Sequence, residues 1–192
     1  MYDYVRRRKK MYIKEYMPEY REAMEKVCLA TASEKARTDK KHGQFSLLMY
    51  CDEYLDRELA YMLMNDEDTP VGYILCAKDA EQWAVHMEPY LEKIKDLSEE
   101  YYEGAVAQTG FYKSFLEEYP AHMHIDILEE YTHGGNGTKL FETLLERLKK
   151  DQVKGLILGV AKSNERAVSF YKKMGFQILK DQEYGYNMAM TL

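Results

Sequence analysis

The stretch YTHGGNGTKLFETLLERLKK, residues 131–150, puts three glycines into positions 134–137 directly before a helical pattern. The apolar residues of that pattern share one helix face; they are Leu140, Phe141, Leu144, Leu145 and Leu148. Asn136-Gly137 alone would favour a hairpin turn, but helical periodicity follows it, so the hairpin is rejected. Unpaired N–H groups and the positive end of the helix dipole meet at such a helix start. The stretch therefore predicts an anion site.

The elements around the loop predict a parallel pair of strands. Residues 121–128 alternate, with His122, His124 and Asp126 on one face and apolar residues on the other. Residues 155–161 form a buried type of strand, and strand, helix, strand implies parallel pairing. A second helix is expected over 164–173, ended by Gly175.

The rest of the chain supplies further predicted elements. A strand at 11–17 is followed by a helix from Pro18 to about residue 30. Residues 31–42 read as a loop, and a weaker helical pattern covers 45–55. Two strands at 59–64 and 70–77 form a hairpin, residues 80–119 are helical, and two strands at 176–179 and 184–190 end the chain. At 192 residues one domain is expected, with 79–119 as a helical insertion and 120–180 as the cofactor-binding core.

Composition excludes several classes of protein. Twenty-seven basic and 33 acidic residues give a net charge of −6, which argues against a nucleic-acid partner. The longest apolar run, at 71–77, is too short to cross a bilayer, so no membrane partner is predicted. The basic run at 6–10 lacks the apolar stretch of a secretory signal, which favours a cytoplasmic protein. Cys28, Cys51 and Cys76 are widely spaced, as expected for buried reduced thiols.

The glycine loop matches neither of two common phosphate loops. A Walker loop requires Gly-Lys-Ser/Thr, and no lysine directly follows a glycine here. A dinucleotide fingerprint requires a third glycine, where this chain has Leu140. A pyrophosphate loop of the kind found in acetyl-CoA users remains.

At this loop the sequence resembles the GNAT N-acetyltransferase superfamily. The family motif Gln/Arg-x-x-Gly-x-Gly/Ala corresponds to residues 132–137, and SNERAVSFYKKMGF, residues 163–176, resembles its second signature. The resemblance implies an α/β fold with a central mixed, mostly antiparallel sheet, a parallel pair at the cofactor site and helices on both faces. It also implies direct transfer of an acetyl group from acetyl-CoA to a primary amine of a small molecule.

The resemblance extends to one subfamily, and the glycine loop departs from the family motif at two positions. PVGYILCAKD and PAHMHIDIL are also similar to acetyltransferase-like domains joined to some bacterial glycoside hydrolases. Thr132 stands where the family has Gln or Arg, and Asn136 replaces a common apolar residue. Because such a loop binds chiefly through main-chain N–H groups, weaker pyrophosphate binding is expected rather than its loss. His133 and Lys139 would restore some positive charge.

The resemblance assigns the cofactor-binding residues. The pyrophosphate loop comprises His133, Gly134, Gly135, Asn136, Gly137 and Thr138. The main chain of Ile127, Leu128 and Glu129 would hold the pantetheine, with the N–H of Ile127 or Leu128 as oxyanion donor. The alternative is an ordinary central strand with every N–H paired.

The resemblance also assigns roles in the second helix. Tyr171 matches the general acid near the sulfur, although helical spacing alone also fits a core aromatic. Asn164 either caps its helix or contacts the cofactor, and Phe170 is expected to pack.

Two residues on the strand before the loop are candidates for removing the proton of the amine. His124 and Asp126 share a face and are predicted to act as base or relay; alternatively they form a buried pair that only holds the strand. His122, His124 and Asp126 are metal-ligand types, but the family uses no metal, so none is predicted.

The acceptor site is expected to come from residues 31–58 and 79–119, which are rich in tyrosines and acids. An acidic, aromatic cleft would suit a cationic amine, and a solvated acidic surface is the alternative. Two rival functions stay open. A non-catalytic acyl-CoA-binding module is favoured by Thr132 but opposed by the intact Phe170-Tyr171 pair, and a protein or peptide N-acetyltransferase would need an open groove. A homodimer is a family-level expectation.

Overall fold

A computed structural model describes residues 10–192, so most of the basic run at 6–10 lies outside the described residues. Seven strands form one sheet in the order β1-β2-β3-β4-β5-β7-β6. Their bounds are β1 Tyr12–Glu15, β2 Leu59–Met64, β3 Pro70–Ala77, β4 Ala121–Ile127, β5 Gly155–Ala161, β6 Gln177–Asp181 and β7 Gly185–Thr191.

Within residues 10–192, eight α-helices surround the sheet. They are α1 Arg21–Thr31, α2 Glu34–Thr38, α3 Lys40–Leu47, α4 Glu53–Arg57, α5 Ala80–Leu97, α6 Glu99–Lys113, α7 Asn136–Lys150 and α8 Glu165–Lys173. Short 3₁₀ turns at Pro18–Tyr20 and Glu129–Tyr131 and a π-helical turn at Leu48–Asp52 join them. The predicted helix at 80–119 is thus two helices. That they form an insertion, within a single acetyltransferase-like domain, stays a prediction.

The pairing of β4 positions the site. All neighbours in the sheet are antiparallel except β4 and β5, which confirms the predicted mixed sheet with one parallel pair. The β4–β5 register runs only from Ala121↔Leu156 to His122↔Ile157, whereas β3 and β4 stay paired as far as Gly72↔Ile127. The two parallel strands therefore diverge, and they leave a wedge between them.

Each face of the sheet carries its own apolar core. Trp83, Met87 and Ile94 of α5 pack on one face with Tyr54 and Tyr112. Leu140, Phe141, Leu144 and Leu148 of α7 pack on the other with Tyr171 of α8 and with Met123 of β4. Because successive side chains of a strand point to opposite faces, His122 and His124 lie on the side of α5 and α6. The predicted alternation of β4 is confirmed.

The prediction of a loop at 31–42 is wrong. Ser33 and Asp39 are helix caps: the Ser33 hydroxyl accepts from the Ala36 N–H, and the Asp39 carboxylate accepts from the N–H groups of Lys41 and His42. These caps start two short helices in a polar segment, because they satisfy N–H groups that an unfinished turn leaves open. The weak pattern at 45–55 spans the end of α3, the π-helical turn and part of α4.

Two further sequence predictions can be compared with the structure. Cys28, Cys51 and Cys76 are buried and free, which confirms the prediction of buried reduced thiols. Among residues 10–192, no helix has both the length and the apolar character needed to cross a membrane.

Candidate active site

A groove opens where β4 and β5 diverge. It has a volume of about 370 Å³ and runs from β4 to the N-terminus of α7 and the adjacent face of α8. Of the predicted site residues it is lined by Asp126, Ile127, Leu128, Glu129, Gly137, Asn164, Phe170 and Tyr171. The two signatures, about thirty residues apart in sequence, therefore face one cavity.

The glycine loop is shaped for close approach of an anion. Gly134 and Gly135 both have φ of +78°, a left-handed conformation that L side chains rarely adopt. A Cβ added at either residue would have no protein atom within 4 Å, so the space beside the loop is open. Gly135 starts α7 without any side-chain cap. The first N–H groups of α7 are thus left for an external acceptor.

The departure at Asn136 has a structural explanation. Its side chain is buried, and its Nδ2 donates to the carbonyls of Tyr131, at 2.9 Å, and His133, at 3.1 Å. The side chain therefore holds the loop in shape from within and does not point at a ligand. His133 is exposed beside it, and Thr138 lies half-buried in the first turn of α7.

The start of α7 packs closely against α8 through Gly137 and Phe170. A Cβ on Gly137 would meet the Phe170 ring at 3.4 Å, so glycine lets α7 start in contact with α8. Asn164 caps α8, since its Oδ1 accepts from the Ala167 N–H at 3.1 Å. Both Asn164 and Phe170 also line the groove, so the packing and cofactor-contact alternatives are compatible.

Backbone pairing distinguishes the two candidate oxyanion donors. The Leu128 N–H donates to the Val71 carbonyl at 2.9 Å, so it is committed to the β3 side. Successive N–H groups of a strand point in opposite directions, so the Ile127 N–H is directed toward the wedge. The Leu128 N–H is thus occupied within the sheet, and Ile127 stays the predicted oxyanion donor.

Tyr171 is a nearly buried phenol on the groove wall. Its ring meets Phe170 and Phe176 edge to face, with centroids 5.5 and 5.6 Å away. Burial, with a smaller effect of the Asp126 charge, raises the pKa of Tyr171 well above its ordinary value. It therefore stays protonated at neutral pH, as a general acid must.

Asp126 lies at the junction of the groove with a second cavity. Its Oδ2 accepts a hydrogen bond from the Tyr73 hydroxyl at 2.8 Å. Burial raises the pKa of Asp126, whereas hydrogen bonds from Tyr73 and Thr31 lower it in part. A carboxylate with a raised pKa is better matched to proton uptake than an ordinary one.

His124 is close to the same junction, but burial makes it a weaker base than an ordinary histidine. Its Nε2 lies 3.2 Å from the Tyr54 hydroxyl, and burial lowers the pKa of His124 to about 4. It is therefore neutral at physiological pH and suited to a relay. It contacts Tyr54 and Tyr50 rather than forming the alternative His–Asp pair with Asp126. His122 is fully buried, stacked on Tyr112 at 4.1 Å, and is removed from the groove.

The second cavity has a volume of about 710 Å³ and is walled by several helices. Aromatic side chains from Phe45, Tyr50, Phe111 and Tyr112 line it together with His42, Gln108 and Asn187. The prediction that segments 31–58 and 79–119 supply an aromatic cleft agrees with this lining. The expected acidity does not, because Asp126 is the one carboxylate among its described lining residues.

Comparison with known proteins agrees with this geometry. The sequence model of the acetyltransferase (GNAT) family matches residues 13–176. The chain belongs to that family.

Solved structures show the same fold over nearly the whole acetyltransferase chain. The structure of SsHAT is similar at a TM-score of 0.83 and 22% identity, over 95% of this chain and 98% of that one. The PaiA N-acetyltransferase of Thermoplasma acidophilum, in complex with coenzyme A, has a TM-score of 0.62 at 17% identity, over 95% of this chain and 99% of that one. The ribosomal-protein-S18-alanine N-acetyltransferase of Escherichia coli has a TM-score of 0.53 at 15% identity, over 95% of this chain and 94% of that one.

The acetyltransferase has the features that acetyl-CoA requires. The free edge of β4 suits the amide groups of pantetheine, and the open glycine loop at a helix start suits a pyrophosphate. Family membership makes the chain an acetyl-CoA-dependent N-acetyltransferase. The non-catalytic alternative is not supported.

Sequence reasoning missed two cations of this acetyltransferase. The Arg166 guanidinium lies 3.1 Å from the Glu129 carboxylate and 3.3 Å from the Thr132 hydroxyl, at the rim of the groove. Arg37 of α2 lines the same groove. Arg166 stands inside the second signature, two residues after Asn164, so its position there was the available signal.

Proposed function

We propose that the protein transfers an acetyl group from acetyl-CoA to the primary amine of a small molecule held in the second cavity. One observation carries the proposal: Asp126 lies at the junction between the cofactor groove and an aromatic cavity of about 710 Å³. An amine seated there would have its nitrogen beside a carboxylate and its body among aromatic rings, which favour a cation. The cavity size is in the range of small-molecule sites.

The side chains divide the chemistry among them. Asp126 takes a proton from the ammonium group, since only the neutral amine can attack the thioester carbonyl. The Ile127 N–H stabilises the oxygen that becomes negative as the C–N bond forms. Tyr171 donates its proton to the departing thiolate as the C–S bond breaks. The second amine proton passes through the neutral His124 and solvent and restores the Tyr171 phenol, while Asp126 releases the first proton to solvent. The products are the acetamide and coenzyme A.

The walls of the second cavity favour a small molecule over a peptide. Residues from α1, α3 and α6 and the β6–β7 hairpin surround it, whereas a peptide acceptor would need a groove that continues past the reacting end. The related E. coli enzyme is named for acetylating a protein alanine. That acceptor class is therefore the outcome to test against.

The test is a thiol-release assay with acetyl-CoA and two panels, one of small amines and one of peptides with free N-termini. We expect turnover with at least one small amine and none with the peptides. Asp126→Asn should lower kcat about 100-fold or more, with acetyl-CoA affinity unchanged. Peptide turnover without small-amine turnover would overturn the acceptor class, and full activity of Asp126→Asn would overturn the role of the carboxylate.

A further inference from the structure

A second cluster of ionisable groups lies between α4 and α5, and none of its residues lines the cofactor groove. It consists of Glu53 in the first turn of α4, Glu58 just before β2, and His86 of α5. One ligand atom from each residue lies within 4.8 Å of the other two. Glu53 and Glu58 lie at the two ends of α4, and the tertiary fold brings His86 of α5 to them.

Glu53 is the unusual member of this cluster. Its side chain is fully buried, and neither carboxylate oxygen has a hydrogen-bond partner among the described residues. Oε1 points toward His86, whose Nδ1 is 3.8 Å away. Burial, with a smaller effect of the Glu58 charge, raises the pKa of Glu53 to about 9. The nearby Trp83 indole N–H opposes this rise only in part and lies outside hydrogen-bond geometry. A buried, ionised carboxylate without any partner is costly, so Glu53 binds either a proton or a metal cation.

The other two residues complete a donor set. His86 Nδ1 lies 3.0 Å from the Glu58 carboxylate, and both side chains are mostly buried. A cleft of about 580 Å³, lined by Val85, Pro89 and Lys93, leads from the surface to His86. Three protein ligands and an open side match the pattern of metal sites that keep one position for water.

We propose that Glu53, Glu58 and His86 bind a divalent first-row transition metal ion, with Zn²⁺ the best match. Two carboxylates and an imidazole provide the oxygen and nitrogen donors that Zn²⁺ accepts. Mg²⁺ binds weakly, because it prefers oxygen ligands and retains its water. The ion takes the place of the hydrogen bond between His86 and Glu58 and gives Oε1 of Glu53 a partner.

The metal ties α4 to α5 and to the start of β2. Tyr54 follows Glu53 in α4, and its hydroxyl lies 3.2 Å from His124 in the wall of the acceptor cavity. A metal ion on Glu53 therefore fixes the helix that holds Tyr54 against His124. Its role is structural, and its binding requires no acetyl-CoA, so the proposal stands apart from the acceptor assignment.

Calorimetric titration of untagged, chelator-treated protein with ZnCl₂, and separately with MgCl₂, tests the site. We expect one Zn²⁺ per chain and a much weaker response to Mg²⁺. Glu53→Gln and His86→Ala should each weaken Zn²⁺ binding about tenfold or more. Glu92→Gln, an exposed glutamate on the same helix, should bind as the wild type does. Zn²⁺ at a hundredfold excess over Kd should raise Tm by about 5–10 °C in the wild type.

Two results would overturn the proposal. One is the absence of saturable Zn²⁺ binding, with a higher Tm for Glu53→Gln than for the wild type, which would make Glu53 a protonated buried acid. The other is Zn²⁺ binding that neither Glu53→Gln nor His86→Ala weakens, which would place the ion elsewhere. Glu53→Gln keeps the shape of the protonated acid, and His86→Ala tests the same site at its least buried ligand.

Discussion

The Tyr73 hydroxyl donates a 2.8 Å hydrogen bond to the Asp126 carboxylate across the β3–β4 pair. This bond stabilises the ionised form and opposes the burial that raises the pKa of Asp126. Tyr73 of β3 thus lowers the proton affinity of Asp126, the carboxylate between the cofactor groove and the second cavity.

Removing that hydrogen bond should move the pH dependence of catalysis. In Tyr73→Phe the pKa of Asp126 rises. Because the ionised carboxylate is the active form, the variant should lose activity on acidification at a higher pH than the wild type does. A hydrogen bond to a charged group is worth about 1.5–3 kcal/mol, which corresponds to roughly 1–2 pH units. The acidic limb of kcat/KM against pH measures the shift. Tyr184→Phe, at an exposed site, should leave the profile unchanged; an unmoved limb in Tyr73→Phe would exclude Asp126 as its source.

Tyr171→Phe should separate catalysis from cofactor binding. The ring remains between Phe170 and Phe176, but the proton for the departing thiolate is lost. We expect kcat to fall about 100-fold or more, with the Kd for acetyl-CoA within about twofold of wild type. Steady-state kinetics and calorimetry give the two values. Unchanged turnover would make Tyr171 a packing residue.

The glycine loop can be tested by adding a carboxylate. Gly135→Glu should abolish acetyl-CoA binding, because it forces a side chain into a left-handed position and puts a negative charge beside the pyrophosphate. Gly135→Ala, which adds strain without charge, should weaken binding less. Gly104→Glu adds the same side chain to an exposed turn of α6 with open space around it, and it should bind normally. Equal acetyl-CoA affinities in all three variants would contradict the loop assignment.

Arg166 should supply the positive charge that Thr132 does not. Arg166→Ala should raise the Kd for acetyl-CoA about tenfold, with a flatter dependence on salt, because one charge-assisted contact to phosphate is lost. Lys172→Ala removes an exposed charge from the same helix and should have little effect. Equal Kd values for the two variants at low salt would mean that Arg166 serves only to hold Glu129 and Thr132.

His122 should make the fold sensitive to acid. Burial lowers the pKa of His122 well below its ordinary value near 6.5, so the unfolded chain binds a proton there that the folded chain does not. The resulting stability is present above about pH 6.5 and is lost as pH falls. His122→Phe keeps the stack on Tyr112 and should reduce the loss in unfolding free energy between pH 7.5 and 5 by roughly 2 kcal/mol.

Urea unfolding at the two pH values measures this difference. His133→Gln, at an exposed histidine, should lose as much stability on acidification as the wild type does. If His122→Phe loses as much unfolding free energy on acidification as the wild type does, then His122 is not the source of the acid sensitivity.

Local signals predicted much of the fold because they rest on short-range physics. Glycines before an amphipathic run indicated the start of α7, and alternation predicted β4 and its two faces. The same reasoning failed at residues 31–42, where Ser33 and Asp39 start helices without an apolar stripe. Caps act through one or two hydrogen bonds, which leave little trace in periodicity.

Some site residues could be predicted from the sequence, and others required the tertiary structure. The groove residues in the two signatures followed from the resemblance to the family, but the choice of Ile127 over Leu128 required the Leu128 to Val71 hydrogen bond. Arg166 and Tyr73 were missed because their partners, Glu129 and Asp126, are 37 and 53 residues away in sequence.

The sequence by itself determined the order of the elements, the family and the two faces of β4, since each depends on neighbours a few residues apart. Only the tertiary structure decided which N–H faces the wedge, how Asp126 joins the two cavities, and that Glu53, Glu58 and His86 converge. Those features depend on contacts between distant segments, whose geometry is set by how the sheet twists and how the helices pack across it.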